Sequence, residues 1–166
     1  MSDAGEHLRV PAVRFQRVLP GPIARVWAHL TQCEKLAGWY GEAGEIEPCE
    51  GGLINFMDGH VRGVVTQWRP PRRLAYTWNV FAPGEAHSAY PESYLNIDLA
   101  AVGAAVRLTL LHLPVLERFE AQNAVGWHTF LDILKATLMG ETVHPRGVYM
   151  ERNAKLYGLD LAKLQR

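Results

Sequence analysis

The sequence lacks an excess of charge of either sign. Lysine plus arginine and aspartate plus glutamate each number 17 among the 166 residues, so the formal net charge is zero. Proteins that bind nucleic acid or anionic lipid without sequence preference usually carry a clear basic excess. We therefore expect neither nucleic acid nor a membrane among the partners of this chain.

Long apolar runs and paired cysteines are also scarce. No stretch of eighteen apolar residues occurs, so no membrane-spanning helix is expected. Residues 1–10 are polar and include Asp3 and Glu6, which does not fit the apolar centre of a secretory leader. The two cysteines, Cys33 and Cys49, lie in different segments, and two free thiols favour a reducing, cytoplasmic location.

Recognisable catalytic and metal-binding motifs are missing as well. The seven histidines include no HxH or HExxH spacing. Because a zinc site needs three or four converging ligands, no metal is expected. Gly51, Gly52 and Gly59 fit hairpin turns better than a phosphate-binding loop, and no GxSxG motif occurs. We expect no cofactor, and the sequence assigns no catalytic residue.

The apolar pattern that is present predicts one α+β domain. Helical spacing predicts two short helices, opened by Pro22 and by Cys33, and a long amphipathic helix over residues 119–139. Alternating apolar residues bounded by Gly, Pro and Asp predict seven strands, over residues 13–19, 46, 53–57, 60–68, 74–80, 94–101 and 105–113. The order β–α–α–β6–α predicts a curved, seven-stranded antiparallel sheet wrapped round the long helix, with an internal cavity between them.

The domain occupies residues 13–140 in this interpretation. Residues 1–12 form a disordered or frayed lead-in, and residues 141–166 form a C-terminal extension. Residues 148–165 of the extension show helical spacing that places Tyr149, Asn153, Leu156 and Tyr157 on one face. On the sheet, Asp98 lies in the middle of a strand and is expected to face solvent.

Five segments resemble a known superfamily. They are residues 15–31 (FQRVLPGPIARVWAHLT), 34–40 (EKLAGWY), 63–78 (GVVTQWRPPRRLAYTW), 106–112 (VRLTLLH) and 126–134 (GWHTFLDIL). Together they resemble the START/Bet v 1-like (SRPBCC, helix-grip) superfamily, in the branch of the activators of heat-shock protein 90 ATPase. The resemblance covers residues 13–140 and implies the helix-grip fold. Members of this superfamily include ligand carriers, cyclases and co-chaperones, so the fold alone does not select a function.

The resemblance places Trp39, Trp78 and Trp127 where they can meet near the mouth of the cavity. We predict that a small apolar or aromatic ligand binds there. The predicted ligand-binding residues are Trp39, Phe56, Trp78, Tyr94, His112, Trp127 and Leu131. Core packing would also explain the tryptophans. His112 ends an alternating apolar strand face and points into the cavity if that face looks inward, or it is satisfied by a backbone carbonyl at the rim of the sheet.

Two other functions fit the same pattern. The first is an enzyme of the cyclase or hydrolase type that uses the cavity, with Tyr76, Tyr94, Asn96 and His112 as candidate polar groups. We expect binding without catalysis in preference to it. The second is an interaction protein, a chaperone cofactor or a partner in a stress response. Its candidate surface is the apolar tail formed by Leu156, Tyr157, Leu159 and Leu161, which could also pair two chains as a homodimer.

Overall fold

A computed structural model of the chain describes residues 5–164. Within this range the elements are β1 (Val13–Pro20), α1 (Ile23–Thr31), α2 (Cys33–Tyr40), β2 (Glu45–Ile46), β3 (Leu53–Phe56), β4 (Val61–Arg69), β5 (Arg73–Val80), β6 (Ser93–Val102), β7 (Ala105–Leu113), α3 (Glu120–Met139) and α4 (Arg146–Leu156). Short 3₁₀ helices, Glu117–Phe119 and Leu161–Lys163, precede α3 and follow α4. The predicted order β–α–α–β6–α is confirmed, and α4 follows it.

The strands form one antiparallel sheet in the order β1-β7-β6-β5-β4-β3-β2. Strands β2 to β7 form a meander in which each strand pairs with the next. The first strand then pairs with the last, with Val13 opposite His112 and Leu19 opposite Val106. The predicted combination of a curved antiparallel sheet with a long C-terminal helix is confirmed.

Side-chain alternation decides which side of each strand meets α3. In β7, Val106, Leu108, Leu110 and His112 are buried, whereas the residues between them are partly or fully exposed. Successive side chains of a strand point to opposite faces, so this buried set lies on the inner face of the sheet. Asp98 of β6 lies on the outer face and pairs with Arg73 at 2.6 Å, which confirms that it faces solvent.

Helix α3 is buried on more than one side. The predicted apolar positions Trp127, Leu131, Leu134 and Leu138 are buried. Four further buried positions lie on the opposite side of the helix: Val125, Thr129, Ile133 and Ala136. The helix ends at Gly140, whose φ of 70° is left-handed and favours a residue without a Cβ.

Helix α4 covers the second side of α3. The side chain of Asn153 is fully buried, and its amide donates to Thr129 Oγ1 at 3.3 Å and to Asp132 Oδ2 at 3.1 Å. The helix predicted over residues 148–165 spans Arg146–Leu156 in the structure, so it starts earlier and is shorter than predicted. Of the four residues predicted to share one face, Tyr149 and Asn153 are buried, whereas Leu156 and Tyr157 are 69% and 37% exposed. Residues 1–4 of the predicted lead-in and residues 165–166 of the extension lie outside the described residues.

Two further expectations concern the surface. Cys33 and Cys49 are exposed free thiols. No helix within residues 5–164 combines the length and the hydropathy that crossing a membrane requires.

Candidate functional site

Six of the seven predicted ligand-binding residues lie together in the interior. They come from α2, β3, β5, β7 and α3, and each is at most 9% exposed: Trp39, Phe56, Trp78, His112, Trp127 and Leu131. Elements that are distant in the sequence therefore bring these side chains to one place. Whether they bind a ligand stays a prediction.

Tyr94 is the exception, and its predicted position inside the domain is wrong. In β6 the inward residues are Ser93, Leu95, Ile97 and Leu99. Tyr94 lies on the other face, is 44% exposed, and donates its hydroxyl to Glu92 at 3.3 Å. Strand alternation therefore excludes its side chain from the space between the sheet and α3. The inward polar residue at this point of β6 is its neighbour Ser93.

The interior residues belong to a continuous set of rings, which we call the aromatic cluster. Its members are Trp39, Tyr40, Phe56, Tyr76, Trp78, His112, Trp127 and Phe130. Trp39 stacks on Tyr40 with ring centroids 3.9 Å apart, and Tyr40 stacks on Phe56 at 5.1 Å. At the other end, Trp78 meets Trp127 at 5.1 Å. The two distances of 5.1 Å are typical of favourable ring pairs and the Trp39–Tyr40 stack is closer still, so the cluster joins the sheet to α2 and α3.

A chain of buried hydrogen bonds runs through one end of the cluster. The indole N–H of Trp127 donates to Nδ1 of His112 at 3.0 Å. An indole N–H can only donate, so Nδ1 of His112 carries no proton and Nε2 carries it. Nε2 then donates to the hydroxyl of Ser93 at 2.8 Å, and that hydroxyl donates to the Trp78 carbonyl at 3.1 Å. Each polar group in this chain has a partner.

Burial decides the charge of His112. It lowers the pKa of the imidazole from 6.5 to about 4, since the charged form loses its hydration in the interior. The ring is therefore neutral at pH 7, as the hydrogen-bond chain requires. Because both ring nitrogens are already occupied, His112 has no free nitrogen with which to accept a proton as a general base.

Two tyrosines supply the other polar group of the cluster. The hydroxyls of Tyr40 and Tyr76 lie 3.2 Å apart and are buried. Burial raises the pKa of both phenols, so both are protonated at pH 7. One hydroxyl donates to the other, which leaves the second O–H without an acceptor among residues 5–164. Each oxygen thus has a hydrogen-bond partner, and the pair keeps one hydroxyl hydrogen that it could donate to a further acceptor.

The sequence-based prediction missed part of this arrangement. Tyr40, Phe130 and Ser93 were not among the predicted ligand-binding residues. Tyr40 directly follows Trp39 at the end of α2, and both are buried because α2 ends there on the core. Gly41 adopts the left-handed conformation with φ 89° and terminates the helix. An adjacent pair of large aromatic residues at a helix end was the available signal.

Two grooves open on the surface away from the cluster. One, of about 380 Å³, is lined by residues of β1 and α3 and by Tyr157. The other, of about 210 Å³, lies between the start of α3 and the residues that follow α4. Neither is lined by a predicted ligand-binding residue. The internal cavity between the sheet and α3 therefore stays a prediction. Within the described part of the chain, no three potential metal ligands converge.

The seven-stranded curved sheet and the long helix α3 that packs on its inner face define a helix-grip protein of the START/Bet v 1-like superfamily. The family model described as "Activator of Hsp90 ATPase homolog 1-like protein" matches residues 20–139. This match spans most of the chain, so the chain belongs to that family. No curated protein matches the sequence. Helix α4 lies beyond the matched residues.

Solved structures with the same fold include proteins of different kinds. The protein encoded by gene BPP1335 of Bordetella parapertussis is 27% identical, with 96% of this chain and 93% of that chain covered and a TM-score of 0.69. CalU16 of Micromonospora echinospora is 22% identical over 89% of this chain and 86% of its own, with a TM-score of 0.70. An HSP90 activator of Plasmodium falciparum is 16% identical over 80% and 98%, with a TM-score of 0.66. At such identities the last two likenesses show the fold alone.

Proposed function

We propose that this chain binds a flat, largely apolar molecule that carries a hydrogen-bond acceptor, on the aromatic cluster between the sheet and α3. The observation that carries the proposal is the tyrosine pair. Tyr40 and Tyr76 share one hydrogen bond at 3.2 Å, and one buried O–H is left without an acceptor among residues 5–164. A buried donor without an acceptor costs about 1–3 kcal/mol. A ligand carbonyl or ether oxygen would remove that cost.

The surroundings of the pair define the rest of the ligand. Aromatic faces and edges lie on several sides of the two phenols, from Phe56, Trp39 and Trp78. Ring faces bind other rings by offset stacking and edge contacts. In the present structure the rings contact one another, so a ligand would enter by spreading them. A planar molecule needs the smallest separation, which favours an aromatic ketone or a related compound.

The same geometry supports binding in preference to catalysis. Both phenols are protonated at pH 7, and the imidazole of His112 is neutral with both nitrogens engaged. Acid–base catalysis is most effective when a group has a pKa near the working pH. The pKa values of these groups are shifted away from neutrality, which suits donors that hold a ligand in a fixed orientation.

A matched pair of ligands tests the proposal. 2-Acetylnaphthalene and 2-isopropenylnaphthalene have the same arrangement of heavy atoms, but only the ketone has an acceptor. Isothermal titration calorimetry should show about two- to tenfold tighter binding of the ketone, as one additional hydrogen bond gives. The double substitution Tyr40→Phe and Tyr76→Phe should abolish the preference while binding of the hydrocarbon persists. Tyr94→Phe is the matched control, since its hydroxyl lies on the outer face.

Each outcome decides something different. Equal affinity of the wild-type protein for both compounds would contradict recognition by the tyrosine pair. Failure to bind either compound would refute the proposal for this ligand class. Native mass spectrometry of the purified protein, followed by denaturation, gives an independent test. A released aromatic compound supports the proposal, whereas a co-purified protein chain instead favours the interaction hypothesis.

A further inference from the structure

One ring of the aromatic cluster is not buried. Phe130 of α3 is only partly covered, whereas the other members of the cluster are buried. It packs against Tyr40 at 5.0 Å and Trp127 at 6.0 Å between ring centroids, and its edge meets Trp39 at 6.4 Å. Phe130 therefore separates the cluster from solvent where α2 meets α3, and a displacement of this one ring would open a short route between them.

An arginine from the C-terminal extension lies across this gap. The guanidinium of Arg146 sits 5.9 Å from the centre of the Phe130 ring. It donates to the backbone carbonyl of Tyr40 at 3.1 Å and to the two carboxylate oxygens of Glu42 at 3.3 and 3.0 Å. One side chain thus connects the first residue of α4, the end of α2 and the partly covered ring of Phe130.

The position of Glu42 follows from the end of α2. Gly41 terminates the helix in the left-handed conformation, and the Tyr40 carbonyl accepts from Arg146 at this end. A Cβ at residue 41 would lie 3.4 Å from the guanidinium, an ordinary contact, so the glycine is favoured here by its φ of 89° and not by a need for space. Glu42 then supplies the charge that a guanidinium binds in a forked geometry.

The two ends of α4 are attached differently. Residues 141–148 are all exposed, and the side chains of Arg146 and Glu42 are 40% and 39% exposed. Farther along α4, Tyr149, Asn153 and Ala154 are buried, and Asn153 donates to Thr129 of α3. The Arg146 side chain can therefore swing away from Glu42 while the rest of α4 stays in place.

We propose that the Arg146–Glu42 ion pair is a latch that controls entry to the aromatic cluster past Phe130; this inference rests on the ligand-binding function proposed above. When the latch is closed, Arg146 holds Phe130 and the end of α2 together. When it opens, Phe130 is free to rotate and the cluster becomes accessible. Because the pair is exposed, salt screens it. Ligand entry and exit should both become faster as the ionic strength rises.

Stopped-flow fluorescence with Prodan, a fluorescent naphthyl ketone, measures both rates. Arg146→Gln should raise the association and dissociation rate constants together by about two- to fivefold, as loss of an exposed ion pair predicts, with little change in Kd. Glu42→Gln should act in the same direction. The double variant should be no faster than Arg146→Gln, since both changes open the same latch. The rates of both single variants should also lose their dependence on salt.

Arg152→Gln is the matched control. Arg152 also belongs to α4 and pairs with an acid, Asp132, at 2.6 Å, but its guanidinium lies over the ring of Tyr149 and, within residues 5–164, makes no cation–π contact with Phe130. Its loss should leave the rates unchanged. An equal acceleration by Arg152→Gln would show that docking of α4 as a whole, and not the latch, controls access. Unchanged rates in Arg146→Gln would also overturn the proposal.

A measurement without ligand separates this inference from the proposed function. Exchange of the Trp127 indole proton with solvent, followed by NMR, reports access to the cluster directly, because that proton is held by His112 inside it. Faster exchange in Arg146→Gln than in Arg152→Gln supports the latch even if no ligand binds. Equal exchange in both variants, with normal ligand binding, refutes the latch and leaves the proposed function intact.

Discussion

The buried, neutral histidine should make the stability of this protein depend on pH in a defined way. The substitution that tests this is His112→Asn. Asparagine does not titrate, and its side-chain oxygen can accept from the indole of Trp127 in place of Nδ1. The bond from Nε2 to Ser93 is lost, but the Ser93 hydroxyl keeps its bond to the Trp78 carbonyl. At pH 7 the variant should lose about 1–3 kcal/mol of unfolding free energy.

The effect of pH follows from the protons bound in each state. Burial lowers the pKa of His112 to about 4 in the folded protein, against 6.5 for the ordinary group. Between these two values the unfolded chain binds one more proton than the folded chain, so the unfolding free energy falls as the pH falls. For this residue the loss between pH 7 and pH 5 is about 2 kcal/mol. The contribution of His112 to the unfolding free energy is thus fully present above 6.5, the pKa of the group in the unfolded chain, and is lost as the pH falls towards 4.

Urea unfolding followed by tryptophan fluorescence at pH 7, 6 and 5 measures the effect. Other titrating groups are shared by the wild type and the variant, so the difference between the two curves isolates His112. That difference should shrink by about 2 kcal/mol between pH 7 and pH 5, and the variant should approach or exceed the stability of the wild type at pH 5. Parallel curves would show that His112 is not held neutral by burial.

Three other changes test the contacts of the interior. Tyr76→Phe should cost about 1 kcal/mol because it leaves the Tyr40 hydroxyl alone, and the double change with Tyr40→Phe should recover most of that loss; urea unfolding of the single and double variants measures both. Asn153→Ala should cost about 1–3 kcal/mol by the same assay, since its amide joins α4 to Thr129. Trp127→Phe should cost a similar amount, because it removes ring contacts and the N–H that His112 accepts; a loss below about 0.5 kcal/mol would contradict the importance of that bond.

The regular elements could be predicted because their periodicity is local. Each strand of the meander alternates and is bounded by turn residues, and α3 has apolar residues at helical steps over 20 residues. The position of Tyr94 was also available from the sequence. Residues 94, 96 and 98 share one face of a strand, and Asp98 was expected to face solvent. The same alternation places Tyr94 on the outer face with Asp98.

Contacts between distant segments could not be predicted in the same way. The Tyr40–Tyr76 bond requires the end of α2 to lie over the middle of β5, and neither segment specifies this alone. The additional burial of Thr129 and Ile133 on α3 depends on the position of α4. The spacing of apolar residues within one helix indicates only the face that packs on the main core. The face of α3 that packs against α4 can be identified only once the position of α4 is known.

The extension after Gly140 contacts residues of the part of the chain that the family model matches. The matched family model covers residues 20–139, which include β2 to β7, α3 and the aromatic cluster, whereas nearly all of β1 and the whole of α4 lie outside it. Yet α4 supplies the side chain that covers Phe130 and reaches the carbonyl of Tyr40, a residue that itself carries half of the interior donor pair. A change in the extension therefore reaches the cluster through two contacts. Relatives that share the fold but lack an arginine at this position should exchange ligands faster, even when their interior rings are the same.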